Sequence, residues 1–256
     1  MPPVDPPSAT QPIPAATMIV FRESPRGSPE ILMVERAKAM VFAGGALVFP
    51  GGRIDPGDAA LAALLGLGDD GAAKVAAIRE TIEEAGLPVG VVPAPSAPAL
   101  ERLRARLHDG DAFADALVEA GATLDPDVLV PFARWLPAHR QMRIFDTLFF
   151  LARLPAGAAP PRVDATENVR LLWTTPADVL ADADAGRVTV IYPTRRNLER
   201  LARFADLAAA VADARAHPIR TITPWTEMRD GIAHLCIPDD LGYPVTSQAL
   251  GAAERG

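Results

Sequence analysis

The chain has little of several features that would place it in a specialised class of protein. One cysteine, Cys236, stands among 256 residues, so an intramolecular disulfide is excluded and a reducing compartment is expected. No apolar run is long enough to cross a bilayer, and the N-terminus lacks the basic start and apolar run of a signal peptide. With 25 Lys and Arg against 32 Asp and Glu, basic charge is too scarce for general binding to nucleic acid or anionic membrane. We therefore expect a cytoplasmic protein.

The stretch with the clearest chemistry runs from Phe49 to Leu87. Its second half predicts a helix that carries three carboxylates on one face, because Glu80, Glu83 and Glu84 are spaced i, i+3 and i+4. Gly86 is typical of a left-handed residue that ends a helix. The opposite face is apolar and can be buried against a sheet; its residues are Val75, Ile78, Ile82 and Ala85.

Three like charges within one helical turn destabilise a helix by a few tenths of a kcal/mol per pair. A solvated acidic face is the ordinary explanation of such a pattern. The alternative is a divalent cation that neutralises the carboxylates, and a set of oxygen ligands alone suits Mg²⁺ or Mn²⁺ rather than Zn²⁺. The paired glycines Gly51 and Gly52, which precede the helix in the chain, favour the second interpretation, since they let the backbone approach a phosphate or offer a carbonyl oxygen to a metal.

These residues resemble the signature of the Nudix hydrolases, G-x5-E-x7-R-E-U-x-E-E-x-G-U. Gly52 is followed after five residues by an acid, Asp58, and later by Arg79-Glu80-Thr81-x-Glu83-Glu84-x-Gly86-Leu87. Two departures stand out: the first acid is Asp instead of Glu, and twenty residues separate it from Arg79 where the family has seven. An interrupted signature that begins Phe-Pro-Gly-Gly is similar to the branch of peroxisomal coenzyme A diphosphatases. The segment from Arg143 to Ala152 also resembles that branch.

The resemblance implies an α+β fold, a Nudix-type α/β/α sandwich with a mixed central sheet, an inserted helical segment and C-terminal helices. Residues 1–13 are expected to be a disordered, proline-rich lead-in, residues 14–245 a single domain, and residues 246–256 a flexible tail. Insertions are expected at about 59–72, within the signature, and at about 91–126. The first is expected to be a surface excursion that leaves both halves of the signature together, and the alternative is that it displaces Asp58.

The resemblance also implies roles for individual residues. The metal ligands would be Glu80, Glu83 and Glu84, with a backbone oxygen from Gly52, and Arg79 would brace the carboxylates. The base would be one of the helix glutamates or Glu167, whose alternative interpretation is a strand-edge charge. The residues expected to contact substrate are Arg36, Phe42, Gly51, Gly52 and Arg143; for Arg36 and Phe42, a solvated charge and a loop anchor are equally good explanations.

The implied reaction is the metal-dependent hydrolysis of a diphosphate that joins a nucleoside to another group, with Mg²⁺ or Mn²⁺ as cofactor. Coenzyme A or an acyl derivative is the first expected substrate, cut to phosphopantetheine and adenosine bisphosphate. Dinucleotides, NADH, ADP-sugars and capped RNA stay open, as does a domain that senses a nucleotide without hydrolysing it. The expected partner is thus a small nucleotide-diphosphate substrate, and since family members are often dimers a homodimer is expected.

Three further predictions concern the remainder of the chain. Cys236 lies in an apolar run and is expected to be a buried structural thiol. Asp146, within a strand pattern, is expected to form a structural hydrogen bond, the alternative being a carboxylate that faces the site. A helical run from Thr194 to about Ala216 is expected to keep Arg196 and Arg200 on its outward face.

Overall fold

The computed structural model describes residues 11–24, 27–40, 43–137, 144–163 and 167–253. Its centre is a mixed eight-stranded sheet with helices on both faces, which confirms the predicted α+β sandwich. Within the described ranges, no helix is both long and apolar enough to span a membrane.

The strands are β1 Ile13–Arg22, β2 Glu30–Arg36, β3 Leu47–Val48, β4 Gly51–Arg53, β5 Val91–Val92, β6 Thr123–Leu124, β7 Val130–Trp135, β8 Phe145–Arg153, β9 Asn168–Thr174, β10 Thr221–Ile222, β11 Trp225–Arg229, β12 Ile232–Cys236 and β13 Ser247–Ala249. The α-helices are α1 Pro56–Leu64, α2 Gly71–Ala85, α3 Ala97–His108, α4 Phe113–Glu119, α5 Pro176–Asp184, α6 Tyr192–Leu201, α7 Leu207–Ala216 and α8 Leu250–Ala253, and a 3₁₀ turn covers Pro126–Val128.

Strand β1 organises the sheet. It pairs in parallel with β8 along nearly its whole length and antiparallel with both β2 and β4. The main path through the sheet runs β10-β7-β8-β1-β2-β3, and β9 pairs antiparallel with β2. This topology places the glycine strand β4 beside β1 and the start of β9 beside β2, which itself pairs with β1. Strands β4 and β9 supply residues on two sides of the site described below.

Each face of the sheet carries its own hydrophobic core. Met18, Val20 and Leu32 face one core with helices α1 to α4, while their neighbours Ile19 and Phe21 face the other with helices α5 to α7. The alternation follows from the two-residue period of a strand, and apolar residues at consecutive positions are expected for strands covered on both faces.

Several boundaries differ from the sequence-based expectations. Ile13, assigned to the lead-in, begins β1, where its N–H donates to the carbonyl of Ile144 at 2.8 Å. Residues 247–249, assigned to the flexible tail, form β13 and pair with β12 in an outer three-stranded sheet. Residues 1–10 and 254–256 lie outside the described residues.

The predicted helical run from Thr194 to Ala216 was wrong in two respects. It is two helices, because Asp206 caps α7 by accepting the N–H of Ala209 at 2.8 Å. Arg196 and Arg200, expected to point outward, are 1% and 2% exposed. Arg200 donates to Asp213 at 2.8 Å and lies over the ring of Phe132, so partners from distant segments compensate its burial.

Two other predictions were confirmed by the contacts. Asp146 accepts two hydrogen bonds from Arg134, at 2.8 and 2.6 Å, and so has the structural role expected of it. Cys236 is buried, with 1% of its surface exposed.

Candidate functional site

Helix α2 carries the three carboxylates and is anchored by its apolar face. Val75, Ile78, Ile82 and Ala85 are fully buried in the core beneath the sheet, as predicted. Gly86 ends the helix in the left-handed conformation, with φ 66°, and its N–H donates to the carbonyl of Ile82. Burial of one face leaves no freedom for rotation of the helix, and the opposite face is therefore presented in a fixed orientation.

The C-terminal end of α2 is held by a residue that sequence reasoning did not identify. Arg104 of α3, 9% exposed, donates to the carbonyl oxygen of Glu83 at 2.9 Å and to that of Glu84 at 3.5 Å. A cation at a helix C-terminus satisfies unpaired carbonyls and opposes the helix dipole. The inserted helical segment thus contributes to the position of the carboxylate helix.

Arg79 is the centre of the acidic cluster. Its Nε and one Nη donate to the two carboxylate oxygens of Asp58, each at 2.9 Å, and the same Nη donates to the carbonyl of Arg53 at 2.9 Å. Its other Nη donates to Glu80 at 2.9 Å and to Glu83 at 3.2 Å. Asp58 is 1% exposed, so the bidentate pair joins the two ends of the long interruption in the sequence signature inside the protein.

The two glycines of β4 lie directly against the carboxylates. The N–H of Gly51 donates to Oε2 of Glu84 at 2.9 Å. A Cβ on Gly52 would come within 2.4 Å of the Glu80 carboxyl group, so no other residue fits at position 52 without displacing Glu80. Glycine at position 52 thus permits the close approach between the strand and the Glu80 carboxylate.

A second group of residues closes the side of the site next to Glu84. Asn168, the first residue of β9, donates from its side-chain amide to Oε1 of Glu84 at 3.1 Å. Arg36, at the end of β2, has one Nη 3.9 Å from the same oxygen and the other 3.9 Å from Glu167. The side chain of Glu167 is 56% exposed, so it stands at the mouth of the site while Glu84 stands inside.

Burial and mutual repulsion perturb the acids. Burial raises the pKa of Glu80 to about 8; the charge of Arg79 opposes this effect, and the charges of Glu84 and Glu83 add to it. Burial raises the pKa of Glu84 to about 7 against the opposing hydrogen bonds from Gly51 and Asn168. The pKa of Glu83 is also raised by burial. Burial alone would lower the pKa of Arg79, but its hydrogen bonds to Asp58 and the charges of Glu80, Asp58 and Glu83 outweigh it and raise that pKa.

The donor set suits a hard divalent cation. Over the described residues, no three acidic, histidine or cysteine side chains already converge on a single point as metal ligands. Glu80, Glu83 and Glu84 nevertheless affect one another's ionisation, and the cations that face them, Arg79 and Arg36, are fewer than the acids. A 2+ ion would relieve this excess of buried negative charge, so the residues fit Mg²⁺ or Mn²⁺.

The structure brings most of the predicted site residues together. Arg36, Gly51, Gly52, Arg79, Glu80, Glu83, Glu84 and Glu167 form one connected group. Phe42 and Arg143 lie outside the described residues. Asn168 and Arg104 were missed; Asn168 directly follows Glu167 at a strand start, and Arg104 stands between Leu103 and Leu107 on the apolar face of α3, where a charge signals a buried partner.

Comparison with known proteins agrees with this geometry. A family model described as the NUDIX domain matches residues 11–193, well over half of the chain. The chain belongs to the Nudix family. This confirms the resemblance expected from Gly52, Arg79 and the three glutamates.

Relatives within the Nudix family include characterised and solved proteins. The chain is 28% identical over 197 residues to the acyl-coenzyme A diphosphatase NUDT19 of Homo sapiens, covering 68% of this chain and 52% of that protein. It is 29% identical over 156 residues to the protein of the same name from Gallus gallus, covering 52% of this chain and 41% of that one. The chain thus spans about half the length of these curated relatives. A crystal structure of a NUDIX hydrolase from Alicyclobacillus acidocaldarius is 32% identical and superposes with a TM-score of 0.71, covering 80% of this chain and 97% of that one.

Proposed function

We propose that this Nudix protein is a hydrolase, dependent on Mg²⁺ or Mn²⁺, that cleaves a diphosphate joining a nucleoside to a second group. The observation that carries the proposal is the excess of buried carboxylate on α2: Glu80, Glu83 and Glu84 lie against the glycine strand, and Arg79 is shared among them and Asp58. A purely structural cluster would be expected to balance its charges, because an uncompensated buried charge is costly.

Each residue of the cluster has a proposed role. Glu80, Glu83 and Glu84, with a backbone oxygen of Gly52, would hold the cation, which when bound polarises phosphate oxygens and promotes ionisation of water. Arg79 keeps Glu80 and Glu83 in place through its hydrogen bonds and is itself fixed by Asp58. Arg36 offers positive charge to the substrate at the edge next to Glu84, and Phe42 and Arg143 are proposed to contribute further substrate contacts.

The proton acceptor for the attacking water is proposed to be either a helix glutamate or Glu167. Glu167 has the exposure that a base at the mouth of the site needs, and Arg36 lies between it and Glu84. A general base contributes about 10²- to 10⁴-fold to a rate. If Glu167 is the base, Glu167→Gln lowers kcat by at least about 100-fold. A change below tenfold assigns the base to the helix.

The proposed first substrate is coenzyme A or an acyl-coenzyme A, which would yield phosphopantetheine, or its acyl form, and adenosine bisphosphate. Support comes from the interrupted signature and from the two relatives named acyl-coenzyme A diphosphatase. The acidic chain, with net charge −7, would hold so anionic a substrate only through local arginines and the cation. A cytoplasmic location and a homodimer are proposed with it.

A substrate panel tests the proposal. Coenzyme A, an acyl-coenzyme A, NADH, ADP-ribose, a diadenosine polyphosphate and a capped RNA are incubated with Mg²⁺ or Mn²⁺ in H₂¹⁸O, and the products are identified by mass. Hydrolysis of a coenzyme A substrate, with ¹⁸O in one product only, is expected and shows which phosphorus was attacked. Preference for another compound corrects the substrate, and no turnover of any compound by a protein that binds them points to nucleotide sensing instead.

A further inference from the structure

Asn168 is a buried polar residue whose side chain forms a hydrogen bond with Glu84. It is 1% exposed, and its amide nitrogen donates to Oε1 of Glu84 at 3.1 Å. The carbonyl oxygen of the same amide is buried and accepts no hydrogen bond within the described part of the chain. Among the described residues, the hydrogen bond to Glu84 is therefore the one that accounts for the burial of this amide.

The amide completes a two-sided restraint on Glu84. Gly51 of β4 donates its backbone N–H to Oε2 at 2.9 Å, while Asn168 of β9 donates to Oε1. Each carboxylate oxygen thus receives one hydrogen bond and retains acceptor capacity, because an ionised carboxylate offers about four lone-pair positions. Donors from two different strands fix the plane of the carboxylate and leave its remaining lone pairs available to a ligand.

Arg36 does not perform this task. It is the cross-strand partner of Asn168 and approaches the same oxygen of Glu84, but at 3.9 Å, beyond hydrogen-bond distance. The neutral amide of Asn168, together with the N–H of Gly51, therefore determines where the carboxylate points. The reverse orientation of the amide would set its oxygen against an acceptor, so the contact with Glu84 also fixes which way Asn168 faces.

We propose that Asn168 is a positioning residue that orients the carboxylate of Glu84 for the divalent cation. The inference rests on the proposed function, since it assigns Glu84 to the cation. Outer residues that orient metal ligands typically contribute 10- to 100-fold to metal affinity or activity. Removal of the Asn168 amide is therefore expected to weaken cation binding by about that factor while the fold is retained.

The test uses the whole chain with Asn168→Leu, which has similar shape and no hydrogen-bonding group, and Asn168→Ser, which is too short to reach Glu84. Mn²⁺ binding is measured without substrate by electron paramagnetic resonance, alongside kcat and the Tm of the metal-free protein. Val169→Ala is the matched control, because Val169 is the next residue of β9 and is 58% exposed. The expected result is a Kd for Mn²⁺ raised about 10- to 100-fold in both variants, a matching loss in kcat, and no change in the control.

Wild-type affinity for Mn²⁺ in either folded variant would overturn the inference. A fall in the Tm of the metal-free variants with unchanged Mn²⁺ affinity would also overturn it, because that result describes a structural residue. Failure of the wild-type protein itself to bind Mn²⁺ would instead contradict the proposed function. The two failures are thus distinguishable.

Discussion

Helices α2 and α6 both bury charged side chains, but the charge around them is balanced differently. On α2, Arg79 faces Asp58, Glu80 and Glu83 within hydrogen-bond distance, and Glu84 is held mainly by neutral N–H donors. On α6, Arg196 donates to Glu199 at 2.6 Å and Arg200 to Asp213 at 2.8 Å. Acids outnumber cations at the first helix, whereas at the second Arg195, Arg196 and Arg200 are matched by Asp184, Glu199 and Asp213.

The surroundings of α6 are those of a structural network. Arg200 lies over the rings of Phe132 and Tyr243, and Asn197 accepts a hydrogen bond from the hydroxyl of Tyr243 at 2.8 Å. Burial raises the pKa of Tyr243 to about 12, so its hydroxyl stays protonated. The partners of Arg200, Asn197 and Tyr243 in this network are all groups of the protein itself.

The contrast shows how a functional site can be distinguished from a buried ion-pair network that is only structural. Charge that is internally compensated stabilises one conformation, whereas an uncompensated excess calls for something that the chain does not supply. At α2 the balancing charge has to be positive, and the groups that would contact it are carboxylate oxygens. These two requirements are the basis for assigning a divalent cation. Four changes sharpen or break this comparison, from the largest expected effect to the smallest.

Arg200→Met should affect stability and leave catalysis intact. Removal of one partner of a buried ion pair costs about 3–5 kcal/mol, here by leaving Asp213 without its guanidinium. Urea unfolding measures the loss, and kcat of the folded fraction is expected to equal that of the wild type. A large fall in kcat at unchanged stability would place α6 in the site and remove the distinction.

Glu83→Gln and Glu84→Gln should affect catalysis and leave the fold intact. Loss of one key electrostatic group lowers turnover by at least roughly 100-fold. The measurement is kcat at saturating Mg²⁺, and circular dichroism verifies the fold. Glu101→Gln is the control, because Glu101 is an exposed acid paired with Arg162. Full activity of both variants would refute the metal assignment.

The metal-free protein should lose stability as pH rises from about 5 to about 8. A carboxyl whose folded pKa exceeds its unfolded value stabilises the protein below the unfolded pKa, and this stabilisation disappears as pH passes the folded pKa, about 8 for Glu80 and about 7 for Glu84. Each pKa unit by which the folded value exceeds the unfolded one corresponds to about 1.4 kcal/mol of stability lost over this interval. Unfolding in chelator at pH 5, 6.5 and 8 measures it.

Two further measurements, one with Mg²⁺ and one on a Glu80 variant, show whether the pH dependence comes from the carboxylates of α2. Mg²⁺ should raise the Tm more at pH 8 than at pH 6, and Glu80→Gln should flatten the pH dependence. Stability that rises with pH over the same interval in the metal-free wild type would show that the acids are already compensated within the protein.

Arg36→Met should weaken substrate binding with little change in kcat. A hydrogen bond to a charged group is worth about 1.5–3 kcal/mol, so KM is expected to rise by about tenfold or more. Arg170→Met is a matched control, since Arg170 lies on β9, is exposed and pairs with Glu35. An equal rise in KM for both variants would indicate a general charge effect instead of a contact at the site.

Sequence reasoning succeeded where local patterns determine the structure. The apolar face of α2 and the left-handed Gly86 are each set within a few residues of chain.

Sequence reasoning failed where the position of a side chain depends on partners that are distant in the chain. Nothing near Arg200 indicates that Asp213, Phe132 and Tyr243 will receive it. Arg196 is held by the distant Gln248 as well as by its neighbour Glu199, and both arginines were assigned to solvent. Asn168 was missed for the same reason, because its partner Glu84 lies 84 residues away. By contrast, the two halves of the interrupted signature were expected to stay together, and the pairing of Asp58 with Arg79 shows that they do.

The central claim is that the carboxylates of α2 hold a divalent cation beside the glycine strand. The most direct measurement is a crystal structure grown with Mn²⁺, in which anomalous scattering locates the metal. An anomalous peak among the oxygens of Glu80, Glu83 and Glu84, at metal–oxygen distances of about 2.0–2.3 Å, is the predicted result. A well-ordered site in which Mn²⁺ binds elsewhere, with those carboxylates still bound only to Arg79, Gly51 and Asn168, would contradict it.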